Sequence, residues 1–131
     1  MRKTVLPLLL CLALLAACGA PAGLTLAAAQ PAEQNGVRLT VTDYRDGVLT
    51  VCLENGGAAP WNCCLGCRVQ RWQDGAWQDL PWPEGGEPEE VCFFLRPGMT
   101  GEQSLDLTAL ALGAGEYRFC LGGLEAPFIL R

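Results

Sequence analysis

The sequence predicts an all-β domain, an antiparallel β-sandwich of about seven strands. Three observations carry that expectation. Apolar residues alternate with polar ones instead of recurring at a helical period. Asp-Gly pairs fall between or beside the alternating runs, where a two-residue hairpin needs positive φ at both central positions. Proline and glycine interrupt the rest so often that only short segments remain between turns.

In chain order, Val37, Leu39 and Val41 alternate with Arg38, Thr40 and Thr42. Asp46-Gly47 then turns the chain into Leu49, Val51 and Leu53, which alternate with Thr50, Cys52 and Glu54. A third strand is expected from about Cys67 to Trp72, with Asp74-Gly75 as its hairpin turn and Ala76 to Leu80 as its return. The stretch from Pro81 to Pro88 carries three prolines and two glycines. Proline removes ladder donors, so this stretch reads as a loop. Val91 to Leu95 is the next strand and ends at Pro97-Gly98. Ser104 to Leu107, Gly115 to Leu121 and Phe128 to Leu130 complete the set, with one helical turn expected over Thr108 to Leu112.

The N-terminus sets the compartment. Arg2 and Lys3 precede an uncharged Leu/Ala-rich run from Val5 to Ala17. A positive head, an apolar stretch and small residues make a secretory signal. Its end, Leu15-Ala16-Ala17-Cys18, resembles the lipobox of bacterial lipoproteins. That resemblance implies cleavage before Cys18 and acylation of its thiol and new N-terminus, an extracytoplasmic, membrane-anchored protein. Cleavage near Ala27-Ala28-Ala29 is the alternative. The apolar run is shorter than the roughly 20 residues of a membrane span.

Domain organisation follows: signal peptide over 1–17, lipidated Cys18 and a flexible tether over 18–35, and one sandwich domain over 36–131. Loss of Arg2 and Lys3 from the nine basic residues leaves seven arginines against 14 acids, a formal charge of −7. Such a surface repels nucleic acid, which is bound by neutralising phosphates. No cofactor is called for by any motif.

Four short motifs occur in order: Glu54-Asn55 at a strand end, the hairpin Asp74-Gly75-Ala76-Trp77, the turn Leu95-Arg96-Pro97-Gly98, and Gly115-Glu116-Tyr117-Arg118-Phe119. Together they resemble the bacterial immunoglobulin-like domains of Gram-positive surface lipoproteins. The resemblance implies an immunoglobulin-like sandwich with no catalytic residues, serving interaction, adhesion or spacing. Trp77 is then expected to lie over the sandwich and fill volume. Tyr117 is expected at a tyrosine corner, its hydroxyl bonding a nearby main chain, and Phe119 in the core.

The cysteines depart from that pattern. Six remain beyond Cys18: Cys52, Cys63, Cys64, Cys67, Cys92 and Cys120. An even number in a small extracytoplasmic domain suggests three disulfides, with 15 possible connectivities. Strand parity turns Cys52 and Cys120 outward, against a bridge between them. One of Cys63 and Cys64 is expected to tie a Trp61–Cys67 loop to a neighbouring strand. Two alternatives use Cys63, Cys64 and Cys67: a thiol-redox site on Cys64-Leu65-Gly66-Cys67, or a zinc site. The first lacks the helix N-terminus that lowers a thiol pKa, and the second lacks the paired spacing of zinc ligands.

The chain has no histidine, which removes Ser-His-Asp triads and Cys-His dyads. Glu84, Glu87, Glu89 and Glu90 form an acidic edge beside a loop, without the burial that raises a general acid. All four tryptophans lie between 61 and 82. Trp61, Trp72 and Trp82 are the candidate binding aromatics, for a protein partner or for sugar rings in a carbohydrate- or cell-wall-binding module.

Overall fold

The computed structural model describes residues 23–88 and 91–131. Among them run eleven strands: β1 (Leu26–Ala29), β2 (Ala32–Gln34), β3 (Val37–Arg45), β4 (Val48–Asn55), β5 (Trp61–Leu65), β6 (Arg68–Gln73), β7 (Ala76–Asp79), β8 (Val91–Leu95), β9 (Thr100–Asp106), β10 (Gly115–Leu121) and β11 (Leu124–Leu130). The expected helical turn is a short 3-10 segment over Thr108–Leu110. The protein is all-β and built from antiparallel pairs. One sheet has the order β1-β11-β10-β6-β7, a second β2-β3-β4-β9, and β5 and β8 form a separate ribbon.

The hairpins follow from local chemistry. Asp46-Gly47 and Asp74-Gly75 both sit at positive φ, the conformation that a two-residue turn between right-twisted strands demands. Asn35-Gly36 does the same between β2 and β3. Gly36 has a second reason to be glycine: a Cβ there would meet Gly57 Cα at 2.7 Å.

Alternation builds the core. Leu39, Val41, Leu49, Val51 and Leu53 from one sheet face Val69, Phe119, Leu121, Ala126, Phe128 and Leu130 from the other, all buried. The register of β3 on β4 slips between Val41 and Asp43, a bulge at Thr42. The extra residue reverses the phase, so Tyr44 and not Asp43 turns inward.

Three expectations need correction. Within 36–131 the described residues hold nine strands, β3 to β11, where about seven were expected, because short pairings escape the alternation. The tether expected over 18–35 holds two strands. β1 pairs with β11 and β2 with β3, and Leu24, Leu26, Ala29 and Ala32 pack against the core. Small side chains suit a half-buried edge as well as a linker, so composition misled. Trp61 to Leu65 is strand β5, not a loop, paired with β8 in full register. The signal peptide and Cys18 lie outside the described residues.

The ribbon shares no ladder with the larger sheets among the described residues, and Asn55 holds it in place. Its side-chain amide donates to Ala59 O at 2.9 Å and Leu95 O at 3.0 Å, and Gly57 N donates to its Oδ1 at 3.0 Å. Its backbone bonds Met99 O and Gly98 N. Asn55 is buried, so losing its amide leaves carbonyls without donors. Asn55→Ala is expected to cost about 2–3 kcal/mol and lower the melting temperature by roughly 10 °C or more. A fall of only about 2 °C in thermal unfolding of the full chain would remove Asn55 from this role.

Candidate ligand-binding face

The outer face of the five-stranded sheet collects most of the chain's unusual side chains. Strand parity explains the sorting. With Tyr117 and Phe119 buried inward, Glu116, Arg118 and Cys120 turn outward on β10. Register carries the same face across the neighbours. Arg118 lies opposite Gln70 on β6 and Pro127 on β11, and Cys120 opposite Arg68 and Glu125. Gln70 lies opposite Asp79 on β7, and Trp72 opposite Trp77.

Arg118 is the hub of this face. Its Nε donates to Gln70 Oε1, its terminal nitrogen sits 2.7 Å from Glu125, and its guanidinium stacks 4.7 Å over the Trp77 ring. Gln70 in turn donates to Asp79 at 2.8 Å, and Arg68 reaches the same carboxylate at 3.1 Å. Trp77 meets Trp72 edge-on, with centroids 5.3 Å apart. Trp72 stays 44% exposed. A planar cation on one aromatic and an edge contact to a second fix both rings without burying them. Beside Trp77 a groove of about 200 Å³ runs past Glu116, Pro127 and Ile129 to Ala28 on β1.

The expected binding aromatics separate. Trp61 and Trp82 are half-buried and pack against the core, so Trp61, Trp72 and Trp82 do not make one platform. Only Trp72 stands on the open face. Trp77, expected as filling, is instead on that face beside the groove and outside the core cluster. The signal for this was in the sequence: a two-residue turn at Asp74-Gly75 sets residues 72 and 77 opposite each other. Arg118 and Glu116 carry no sequence signal of their own, because each is the outward neighbour of a core aromatic on β10. Tyr117 is buried, donates its hydroxyl to Gly113 O at 2.8 Å and stacks on Phe128; Phe119 is fully buried.

The cysteines divide by face. Cys64 and Cys92 lie directly opposite on β5 and β8, Cα atoms 4.1 Å apart, and form a disulfide spanning 28 residues. A loop of that length contributes about 3–4 kcal/mol in the chain-entropy model. The three expected disulfides are corrected by Cys52, Cys67 and Cys120, which are thiols. Cys52 lies on the outer face of the four-stranded sheet and Cys120 on that of the five-stranded sheet, so they never meet. Cys120 does face outward, yet it is buried beneath the polar layer, donating to Gln70 Oε1 at 3.7 Å. Cys63 is buried next to Cys64.

Burial pushes the Cys67 and Cys120 thiols up, and burial with Glu54 and Glu102 nearby does the same for Cys52. A redox thiol needs the opposite shift. Among the described residues no three Cys, Asp or Glu side chains gather as a metal site. A larger hollow, about 500 Å³, opens between Gly85–Pro88 and β9. Of its two carboxylates, Glu87 and Asp106, Asp106 is held below the ordinary carboxylate range by bonds from the Thr108 hydroxyl and backbone. Glu84 and Glu87 are exposed, and Glu89 and Glu90 lie outside the described residues.

The thiol shifts have a consequence in alkali. A group whose native pKa exceeds its unfolded value contributes stability below the unfolded value and loses it as pH climbs to the native one. The window opens near 9.0 for Cys67 and Cys120 and near 10.0 for Tyr44 and Tyr117, both also raised by burial. Thermal stability should therefore fall as pH rises above about 9; a flat profile from about pH 8 to 10.5 would contradict it. Comparison with protein-family models, with curated proteins and with solved structures finds no match to this chain.

Proposed function

We propose that this chain is a non-catalytic, lipid-anchored extracytoplasmic domain of immunoglobulin-like architecture, acting in interaction or adhesion at the cell surface. Its contact surface is the outer face of the five-stranded sheet. The observation that carries this reading is the Trp72–Trp77 pair, with Trp72 exposed and Trp77 half-buried against Arg118, on a sheet whose other face is the core. Exposed aromatics in a fixed geometry lose little entropy on binding and supply much of the energy of protein contacts.

Other features support the architecture. The Tyr117 hydroxyl bonds a backbone carbonyl four residues upstream, in the manner of a tyrosine corner. The anchor rests on the resemblance of Leu15-Ala16-Ala17-Cys18 to a lipobox, and more than one acyl chain makes such an anchor durable. The thiol-redox and zinc readings draw no support, because Cys64 is committed to Cys92 and burial disfavours the Cys67 thiolate.

Two measurements test the reading. In a Gram-positive expression host, the chain should incorporate a palmitate analogue and fractionate with membranes. Cys18→Ser should abolish labelling and release the protein to the medium; an unlabelled wild type would sink the anchor. Beads coated with the full chain should adhere to cells of the host surface. The Trp72→Ala, Trp77→Ala double variant should reduce adhesion about fivefold or more, the scale of a 1 kcal/mol contact. Unchanged adhesion by a folded double variant would remove this face as the contact surface.

A further inference from the structure

We propose that the groove beside Trp77 and Glu116 receives a cationic side chain, lysine or arginine, from a basic peptide segment of a partner protein. The inference rests on the reading of this sheet face as the contact surface and names what it recognises.

The register arranges the outer face in transverse rows. Trp77 lies opposite Trp72, and the β10–β6 register continued by one residue sets Glu116 beside Trp72. Glu116 lies opposite Ile129, and Ile129 opposite Ala28. This first row is therefore aromatic and aliphatic apart from one carboxylate. The rows behind it are polar and internally neutralised: Arg118 pairs with Glu125 and Arg68 with Asp79. Glu116 has no ion-pair partner among the described residues.

The size of the groove, about 200 Å³, is below the 300–1,000 Å³ of ordinary small-molecule pockets. It suits one side chain or one ring. Charge selects between guests. An anion is repelled by Glu116 and by the −7 of the processed chain. An aliphatic guest strips water from Glu116 without replacing its hydrogen bonds, which is costly. A lysine or arginine lays its methylenes along Pro127 and Ile129 and carries its head to the carboxylate. Aromatic rings attract cations, and the Arg118 guanidinium already on Trp77 has its charge matched by Glu125, so it does not oppose a second cation in the groove. The acidic surface beyond adds long-range attraction for a basic segment.

Tetralysine amide titrated into the full chain in mild detergent, followed by the indole N–H signals, tests this. The Trp72 and Trp77 signals should shift. Glu116→Gln, an isosteric surface change, should weaken binding about fivefold. Trp77→Ala should weaken it about tenfold, and raising salt from about 0.1 to 0.5 M should weaken it further. Tetraglutamate should do nothing. Tetralysine that moves neither indole at about 10 mM, or binds equally to both variants, overturns the proposal; equal binding means diffuse attraction to an acidic surface. Cellotetraose shifting the indoles without regard to Glu116 also overturns it, and shows a neutral sugar ring as the guest. That last outcome leaves the contact face standing, because the face fails only in the adhesion assay of the double variant.

Discussion

Asn55 is the constraint on which the arrangement of the sheets depends. The two large sheets are held together by apolar burial, which is strong but non-directional. The ribbon of β5 and β8 adds Cys63, Phe93 and Leu95 to that core, but among the described residues it shares no ladder with either large sheet. Directional contact comes from one buried amide that reaches the loop before β5 and the end of β8 at once, while the same residue's backbone binds the turn into β9. A buried amide must satisfy its donors and acceptor, so only one placement of the ribbon closes that set. Gly57 completes the set and also abuts Gly36, which couples the β2–β3 turn to the same junction. The disulfide between β5 and β8 then fixes the ribbon internally.

The five-stranded sheet divides its labour by parity. On the inner side Tyr117, Phe119, Phe128 and Leu130 are buried and supply cohesion. On the outer side β6, β7, β10 and β11 carry Arg118, Gln70, Glu125 and two tryptophans. Individually such exposed ion pairs contribute little. Their effect is geometric: Arg118 is bound by Gln70, by Glu125 and by the Trp77 ring, so a long flexible side chain has one position. That order passes to Trp77 and from it to Trp72. The rigid core and the ordered outer face are two consequences of one alternation.

Much of this was legible in the sequence. Val37 to Val41 and Leu49 to Leu53 announced their strands by alternation, and Asp46-Gly47 and Asp74-Gly75 their turns. Residues 26 to 34 announced nothing, because alanine-rich edge strands bury too little to show a period and take their pairing from distant partners. Trp61 to Leu65 hid for a related reason: it pairs with β8 and no large sheet, and two adjacent cysteines masked its alternation. The contact face was half legible. Trp72 stands out as a candidate binding aromatic, whereas the immunoglobulin-like resemblance implies only a filling role for Trp77. Which way it points was decided by the register on β6, and by Arg118 arriving from β10, a strand some 40 residues away in sequence.

The cysteines show the same logic at the level of chemistry. A disulfide forms where two cysteines share a register position, and Cys64 and Cys92 are the pair that β5 and β8 bring face to face. Cys52 and Cys120 are each on an outer face, on opposite sides of the sandwich, with the whole core between them. Composition suggested a stapled domain in which the bridges carry the fold. The buried thiols point elsewhere: Cys67 and Cys120 are shielded from solvent and held protonated by that burial. They behave as small apolar side chains. The fold therefore draws its cohesion from apolar packing between two sheets, and the Cys64–Cys92 disulfide restrains the ribbon.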